Sequence, residues 1–480
     1  MKNFIKNSSS FINGEWVQSQ GHLSICNPAN LQEHIHDIHL ATGYDTNSAL
    51  LAAQEAFDVW GKTRIEKRIL LLEKFMSNLE AKRNEFSELI TLENGKTIEE
   101  SKGEVDAAIS EGNYQLGFLK DNLVEIKGSH KLIYSPLGVA LLITPWNFPL
   151  STVIRKMIPA LACGNTVVLK PSEYSSLTSI LIFEILEKED FPKGSVNLVI
   201  GIGSALADAL LKTDLIDIVS FTGSTATGEI IRKKISHSNV RYQAEMGGAN
   251  ALVIWDDANI NEAVNAAIAS GYACAGQWCT GISKLIIHEN IYDTSIDLLK
   301  KSVENIKVGS GFDKSNQMGP LNNRTQLDKM VDYVIRASDQ GAEILTGGSQ
   351  LQNDEQKGFF FQPTILTGLN LEMDISSEEI FGPIINVFKS RTVEQSIEIA
   401  NFGRYGLSFS VYTENDSIAN RFISNVDASL CHVNMPTPYR EMSMPFTGWK
   451  YSGIGVPESG RFARDAFTKP KVVYRKKTNL

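Results

Sequence analysis

At 480 residues the chain is too long for one simple core, so two large domains with a smaller appendage are expected. Its 42% hydrophobic and 21% charged residues are ordinary for a globular protein, and a net charge of −9 argues against a nucleic-acid surface, which needs clustered Lys and Arg. No apolar run reaches the roughly 18 residues of a membrane span, the start MKNFIKNSSSFINGEW lacks an apolar signal core, and Cys26, Cys163, Cys274, Cys279 and Cys431 lack zinc-ligand spacing. The expectation is a cytoplasmic protein with free thiols and no metal.

In chain order, residues 64–92 place Ile65, Ile69, Leu72, Met76 and Leu79 at three- and four-residue steps. That spacing predicts one helix, closed by ENGK with Gly95 near its C-cap, and a second helix covers about 98–118. GVALLITPWNFP, from 138, is an apolar run ended by a turn with two prolines. TVVLK is a short buried strand, and SSLTSILIFEILEKED a helix with Ser175 or Ser176 at its N-cap. VNLVIG, DIVSFTG and ALVIW read as strands; SALADALLKT, STATGEIIRKKI and NINEAVNAAIASGYACA read as helices. Such alternation predicts βαβ units around a parallel sheet. Residues 285–440 continue the mixture without glycine-rich turns, as a second α/β domain, and Lys469 to Lys477 reads as a charged strand.

Ligands of parallel sheets bind at the carboxyl ends of the strands, where KPSE (170–173), GIG (201–203) and FTGS (221–224) fall. GIGSALA is not the dinucleotide fingerprint, because Leu206 holds the third glycine position. Each stretch alone is a tight turn; three in succession favour a nucleotide cleft. CAGQWCT (274–280) adds two cysteines five apart. A cysteine nucleophile acts as thiolate, and an unperturbed pKa of about 8.5 leaves only a few per cent ionised at neutral pH. It needs a donor for the product oxyanion and a base to release the adduct. Asn147 in PWNFP and Glu245 in AEMGG are candidates; taken alone, the first would be a turn residue and the second a solvated strand end.

PWNFP, KPSE, FTGST, EMGG, GQWC, EEIFGP and PFTGWKYSG stand in the order found in the NAD(P)-dependent aldehyde dehydrogenase superfamily, with Glu245 thirty-four residues before Cys279. The chain resembles this family over roughly residues 11 to 475. The resemblance implies an α/β fold with a Rossmann-type NAD(P)-binding domain (1–118 and 138–247), an α/β catalytic domain (248–455), and a small β oligomerisation flap (119–137 and 456–480). The flap segments would pair across subunits of a homo-dimer or homo-tetramer. Cys279 would attack the aldehyde, Asn147 and the Cys279 N–H would hold the oxyanion, and Glu245 would activate the water that frees the thioester. Lys170 and Glu173 would grip the adenine ribose, Glu173 tilting the choice toward NAD with NADP possible. Gly223 and Ser224 would line the pyrophosphate beside Trp146, and Glu379 and Phe381 the nicotinamide ribose and ring.

Two departures, Lys284 where the family often has Arg and Thr447 where it usually has Gly, bear on packing. Arg155 matches an arginine that faces the substrate carboxylate in succinate-semialdehyde dehydrogenases, unless it pairs with a structural carboxylate. QAEMGG and NMPT resemble 2-oxoglutarate-semialdehyde dehydrogenases, and VIRKMIPALACGNTVVLKPSE is similar to lactaldehyde dehydrogenases. Arg440 would add a second positive contact at the mouth, or lie on the surface. The implied substrate is a small polar aldehyde bearing a carboxylate. The alternatives are a lactaldehyde, glycolaldehyde or broad specificity, acyl transfer to coenzyme A, which Glu245 argues against, and a non-catalytic homologue.

Overall fold

Short β-branched runs alternating with helices build two sheets in the computed structural model, which describes residues 4–351 and 357–476. In the first sheet Val196–Leu198, Thr166–Pro171, Val139–Thr144, Ile218–Thr222 and Arg241–Glu245 lie parallel in that spatial order. Ser10–Ile12 and Glu15–Val17 add antiparallel strands at one edge, and Gly453–Ile454 at the other, pairing Glu245 with Gly453. The second sheet has seven strands, ordered Glu343–Thr346, Thr364–Thr367, Ile384–Ser390, Ile282–His288, Asn250–Ile254, Ser408–Tyr412 and Leu430–Val433, parallel after the first. Helices cover both faces, which is why the central strands are continuously apolar rather than alternating. Val167, Leu169, Leu285 and Ile287 are all fully buried. Among the described residues no helix is long and apolar enough to cross a membrane.

The single helix expected over 64–92 is two, Ile65–Ala81 and Arg83–Asn94, separated at Lys82. The apolar stripe stops at Leu79 and resumes only at Phe86, so little holds the intervening AKRNE turn against the core. Gly95 does end the second helix, with φ 94° and its N–H on Thr91 O. The next helix, Ile98–Asp121, opens on a Thr97/Glu100 capping box and runs past the boundary expected at 118. Ser175 stands at the N-cap of Ser176–Leu186, but its hydroxyl makes no cap bond. The buried Glu93 carboxylate substitutes for it from another helix, accepting from Leu177 N (2.5 Å), Thr178 N (3.1 Å) and Thr178 Oγ1 (2.7 Å). Burial pushes the Glu93 carboxyl up to about 7 against the pull of these bonds.

The small flap also differs from expectation. Thr468–Val473, His130–Pro136 and Val124–Lys127 form a three-stranded antiparallel sheet, which joins the two segments assigned to the flap. Of the C-terminal segment assigned to the flap, Phe462–Phe467 is a helix that buries Ala466 and Phe467 in the core of the first lobe. Residues 477–480, including Lys477 of the basic cluster, lie outside the described residues.

Candidate active site

Helix Ile260–Tyr272 stops abruptly, and Cys274 (φ 53°), Ala275 (φ 54°) and Gly276 (φ 68°) follow in the left-handed region. Each non-glycine residue there costs roughly 1–2 kcal/mol, so the surroundings must impose the turn. They do so from several sides. Glu100 Oε1 accepts from Cys274 N (2.6 Å), and Gln277 donates to Cys274 O through both its backbone (3.1 Å) and Nε2 (3.0 Å). A Cβ at Gly276 would lie 2.1 Å from Gly382 O, so only glycine fits. Beyond the turn, Asn250 Nδ2 donates to Cys279 O (2.8 Å) and Gly281 O (2.7 Å), while its Oδ1 accepts from Ser408 N (2.9 Å). Every polar atom of that side chain is used to fix the loop carrying Cys279.

The two cysteines differ in setting. Cys274 is buried and its thiol is held above the ordinary range by burial. Cys279 is partly exposed. Burial pushes its thiol up to about 12; Arg155 and, more weakly, Arg440 pull it down, while Glu379 and Glu245 push the other way.

Asn147 follows the Val139–Thr144 strand and is buried, with Nδ2 on Gln277 O at 3.0 Å. One amide hydrogen thus ties it to the cysteine loop and leaves the other free. The rest of its turn is braced by Glu104, whose Oε1 accepts from Leu150 N (2.9 Å) and Ser151 N (3.2 Å). Lys96 Nζ meets Glu104 Oε2 at 2.6 Å and lies 3.5 Å from the centre of the Phe148 ring, which itself packs 4.8 Å from Trp278.

Glu245 ends its strand buried, not solvated. Gln243 Nε2 approaches Oε1 at 3.4 Å, and Oε2 has no hydrogen-bond partner among the described residues. Burial, then the neighbouring Glu458, holds its carboxyl well above the usual range, with Lys156 and Arg155 opposing. Glu458 is itself ion-paired to Lys156, whose Nζ donates to Ser220 Oγ at 2.9 Å.

Arg155 and Arg440 share the Phe446 ring, their guanidinium carbons 5.1 Å and 4.9 Å from its centre. Arg155 has a loose carboxylate partner, Glu458 at 3.9 Å, and its Nε is buried without one among the described residues. Arg440 is not a surface residue: its side chain is 17% exposed and bonds Glu111 Oε2 and Ser459 Oγ, both at 3.0 Å. Burial, with Arg155 alongside, lowers it to about 10.

The remaining expected residues fall into two groups. Lys170 Nζ lies 3.3 Å from Glu173 Oε2, with Gly203 so close that a Cβ there would stand 3.4 Å from Nζ. Gly223 N donates to Glu245 O (3.1 Å), and Ser224 caps helix Thr225–Lys234 by accepting from Thr227 N (3.2 Å), which commits its hydroxyl to the helix. Trp146 and Phe381 meet edge to face at 5.6 Å, with Phe381 at φ 55°. Glu379 Oε1 accepts from Gly248 N (3.1 Å), and a Cβ at Gly247 would fall 2.1 Å from Oε2, so the glycines after Glu245 make room for this carboxylate. Lys284 lies away from these groups. Its Nζ, brought down to about 7 by burial, donates to Ile399 O (3.1 Å) and Phe402 O (2.5 Å) at the end of helix Val393–Asn401. Thr447 O accepts from Ser429 Oγ.

Glu458, Lys156, Asn250, Glu100 and Glu104 were not singled out from the sequence. A second charge beside Arg155 in a helix that is otherwise apolar, as Lys156 is in VIRKMIPALAC, is the one signal that could have flagged a member of this set.

A thiol, a buried carboxyl with one oxygen unpartnered among the described residues, and a side-chain amide lie where the two α/β lobes meet, an arrangement that fits an oxidoreductase acting on aldehydes. A family model described as the aldehyde dehydrogenase family matches residues 16–473, and the chain belongs to that family. It is 36% identical over 476 residues to the alpha-ketoglutaric semialdehyde dehydrogenase of Bacillus subtilis, covering 97% of this chain and 98% of that one. It is also 36% identical to the 2,5-dioxopentanoate dehydrogenase of Saccharolobus solfataricus, over 96% and 98% of the two chains. The crystal structure of betaine aldehyde dehydrogenase from Staphylococcus aureus, in complex with NAD+, matches with a TM-score of 0.94 at 34% identity, covering 97% and 94%.

Proposed function

We propose that the chain oxidises a short aldehyde bearing a carboxylate, a semialdehyde of the 2,5-dioxopentanoate kind, to the carboxylic acid with NAD+. The observation carrying this reading is the pair of guanidiniums, Arg155 and Arg440, on one aromatic ring and within electrostatic reach of Cys279. Glu111 answers Arg440, but Arg155 has only the loose Glu458 and an Nε without a partner among the described residues, and that unspent positive charge suits a carboxylate at the far end of the aldehyde. The relatives named for alpha-ketoglutaric semialdehyde and 2,5-dioxopentanoate support the same substrate class.

The thiol proton of Cys279 must leave first, and Glu245, with Oε2 unpartnered and its carboxyl raised by burial, is the neighbouring base able to hold it. The sulfur then bonds to the carbonyl carbon, and the π-electron pair moves to oxygen. That oxyanion is met by the free Nδ2–H of Asn147 and the N–H of Cys279. Bound NAD+ supplies the acceptor for the hydride that leaves the thiohemiacetal carbon. A thioester remains on Cys279; once Glu245 has passed the thiol proton to solvent it takes a proton from water as the water oxygen attacks the carbonyl, and the C–S bond breaks to release the acid and the Cys279 thiolate.

The residues fit NAD+. Lys170 and Glu173 stand at the end of the Thr166–Pro171 strand for the adenine ribose, and Glu173 accepts from a free 2′-hydroxyl but repels a 2′-phosphate. Gly223, without a side chain, leaves room for the pyrophosphate at the amino end of helix Thr225–Lys234, whose first N–H groups point toward it, next to Trp146. Glu379 and Phe381 serve the nicotinamide ribose and ring. We assign 4–121, 138–247 and 453–467 to the cofactor-binding domain and 248–351 with 357–452 to the catalytic domain. The free edges of the flap suit a homo-oligomer in the cytoplasm.

Arg155→Leu is expected to lower kcat/KM for carboxylate-bearing aldehydes by about 10- to 100-fold, the loss of one charge-assisted contact, and for an uncharged aldehyde of equal length by under about 3-fold. Equal losses across such a panel would remove Arg155 from substrate recognition. Because burial holds Cys279 and Glu245 in their protonated, inactive forms, their working forms accumulate only as pH rises through the raised pKa values. The pre-steady-state NADH burst should therefore quicken steadily from about pH 6 to about pH 9. A burst rate that is flat over this range would contradict the assignment of both groups.

A further inference from the structure

Four buried amide side chains close a ring around the reaction centre, and three of them have no part in the chemistry proposed above. Asn94 Nδ2 donates to Trp146 O at 2.8 Å. The next residue, Asn147, donates through Nδ2 to Gln277 O at 3.0 Å. Gln277 Oε1 accepts from Asn322 N at 2.9 Å, and Asn322 Nδ2 returns to Asn94 O at 3.4 Å. Asn94 is 1%, Asn147 6%, Gln277 2% and Asn322 6% exposed, and every bond of the ring except that to the half-buried Trp146 O is buried. The ring joins four segments distant in sequence: the end of helix Arg83–Asn94, the turn bearing Asn147, the loop bearing Cys279, and the stretch with Asn322 just before helix Arg324–Asp339.

We propose that Asn94, Gln277 and Asn322 are positioning residues, whose ring with Asn147 sets the distance between the oxyanion donor and the Cys279 sulfur before substrate arrives. This rests on the oxyanion role of Asn147. An amide with one hydrogen committed to Gln277 O can aim the other in only one direction, so the aim depends on where Gln277 O and Trp146 O stand. Asn94 holds the second of these directly. The first is held through Gln277 Oε1, which fixes the side chain of the residue whose carbonyl Asn147 uses. Asn94 ends its helix immediately before Gly95, whose left-handed φ of 94° turns the chain away and leaves the amide pointing at the oxyanion turn.

The test is a double-mutant cycle on the full-length protein, assayed with NAD+ and a semialdehyde. Asn94→Leu keeps the volume but removes the donor. We expect kcat to fall roughly 10- to 100-fold, the cost of misplacing a group by a fraction of an ångström to an ångström. KM for NAD+ should stay within about 2-fold, since Asn94 acts on the oxyanion turn. In an Asn147→Ala background the same substitution should cost under about 2-fold, because the group it aims is already gone. A full, multiplicative loss in that background, or a wild-type kcat for Asn94→Leu alone, would overturn the ring. A wild-type kcat for Asn147→Ala alone would instead overturn the oxyanion reading beneath it, and is read from a different corner of the cycle. Should Asn94→Leu fail to fold, Asn94→Ser, which removes the amide without bulk, takes its place with the same three outcomes.

Discussion

Cys279→Ala is expected to lose aldehyde oxidation by roughly 10⁵-fold or more, the scale seen when a covalent nucleophile is deleted and only binding and oxyanion contacts remain. Stopped-flow should show no NADH burst, while NAD+ titration should show unchanged affinity, because the substitution leaves Lys170, Glu173 and helix Thr225–Lys234 unaltered. The buried Cys274, five residues earlier on a left-handed turn, offers no substitute nucleophile. Retained turnover in Cys279→Ala would place the chemistry elsewhere.

Glu245→Gln should split the reaction in two. The amide keeps the shape but cannot take a proton, so the NADH burst should slow, and hydrolysis of the thioester should slow more, by about 10²- to 10⁴-fold. The acyl group then accumulates on Cys279. Intact mass spectrometry should find an adduct of one acyl group per chain after mixing with aldehyde and NAD+, and hydroxylamine should release it. A Glu245→Gln chain that turns over normally with no adduct would mean that another group activates the water. Glu458 is the carboxylate to examine next, since its charge is felt at Glu245.

The reach of sequence reasoning differed by residue. The strands carrying TVVLK and DIVSFTG were legible because their period and their bounding glycines and prolines are local properties. The turns that hold Asn147 and Cys279 were legible as motifs for the same reason. What fixes those turns was not. Glu104 caps Leu150 from forty-six residues away, and Glu93 replaces the expected Ser175 cap from eighty-four away. Glu458 reaches Lys156 across 302 residues. Nothing local distinguishes these glutamates from solvated ones; only the fold buries them. The break at Lys82 was missed because helix Arg83–Asn94 restarts an apolar stripe in nearly the same phase. The start of the flap's C-terminal segment was misplaced because Phe462–Phe467 is a short helix whose burial in the first lobe is set by the fold, not by the local sequence.

Because Glu245 and Gly453 are rung partners, and Met246 N bonds Ser452 O at 2.8 Å, the polypeptide leaves the first sheet and re-enters it at a single rung. The whole lobe between these points is therefore an excursion with its two ends in contact, the geometry of a module spliced into a pre-existing host. Bridging the stump needs a hairpin of about two residues, Asn-Gly for instance, and no repacking of the host's parallel strands. Lobe exchange between homologues has a natural seam here: a donor lobe carrying a different aldehyde pocket joins at two adjacent peptide bonds.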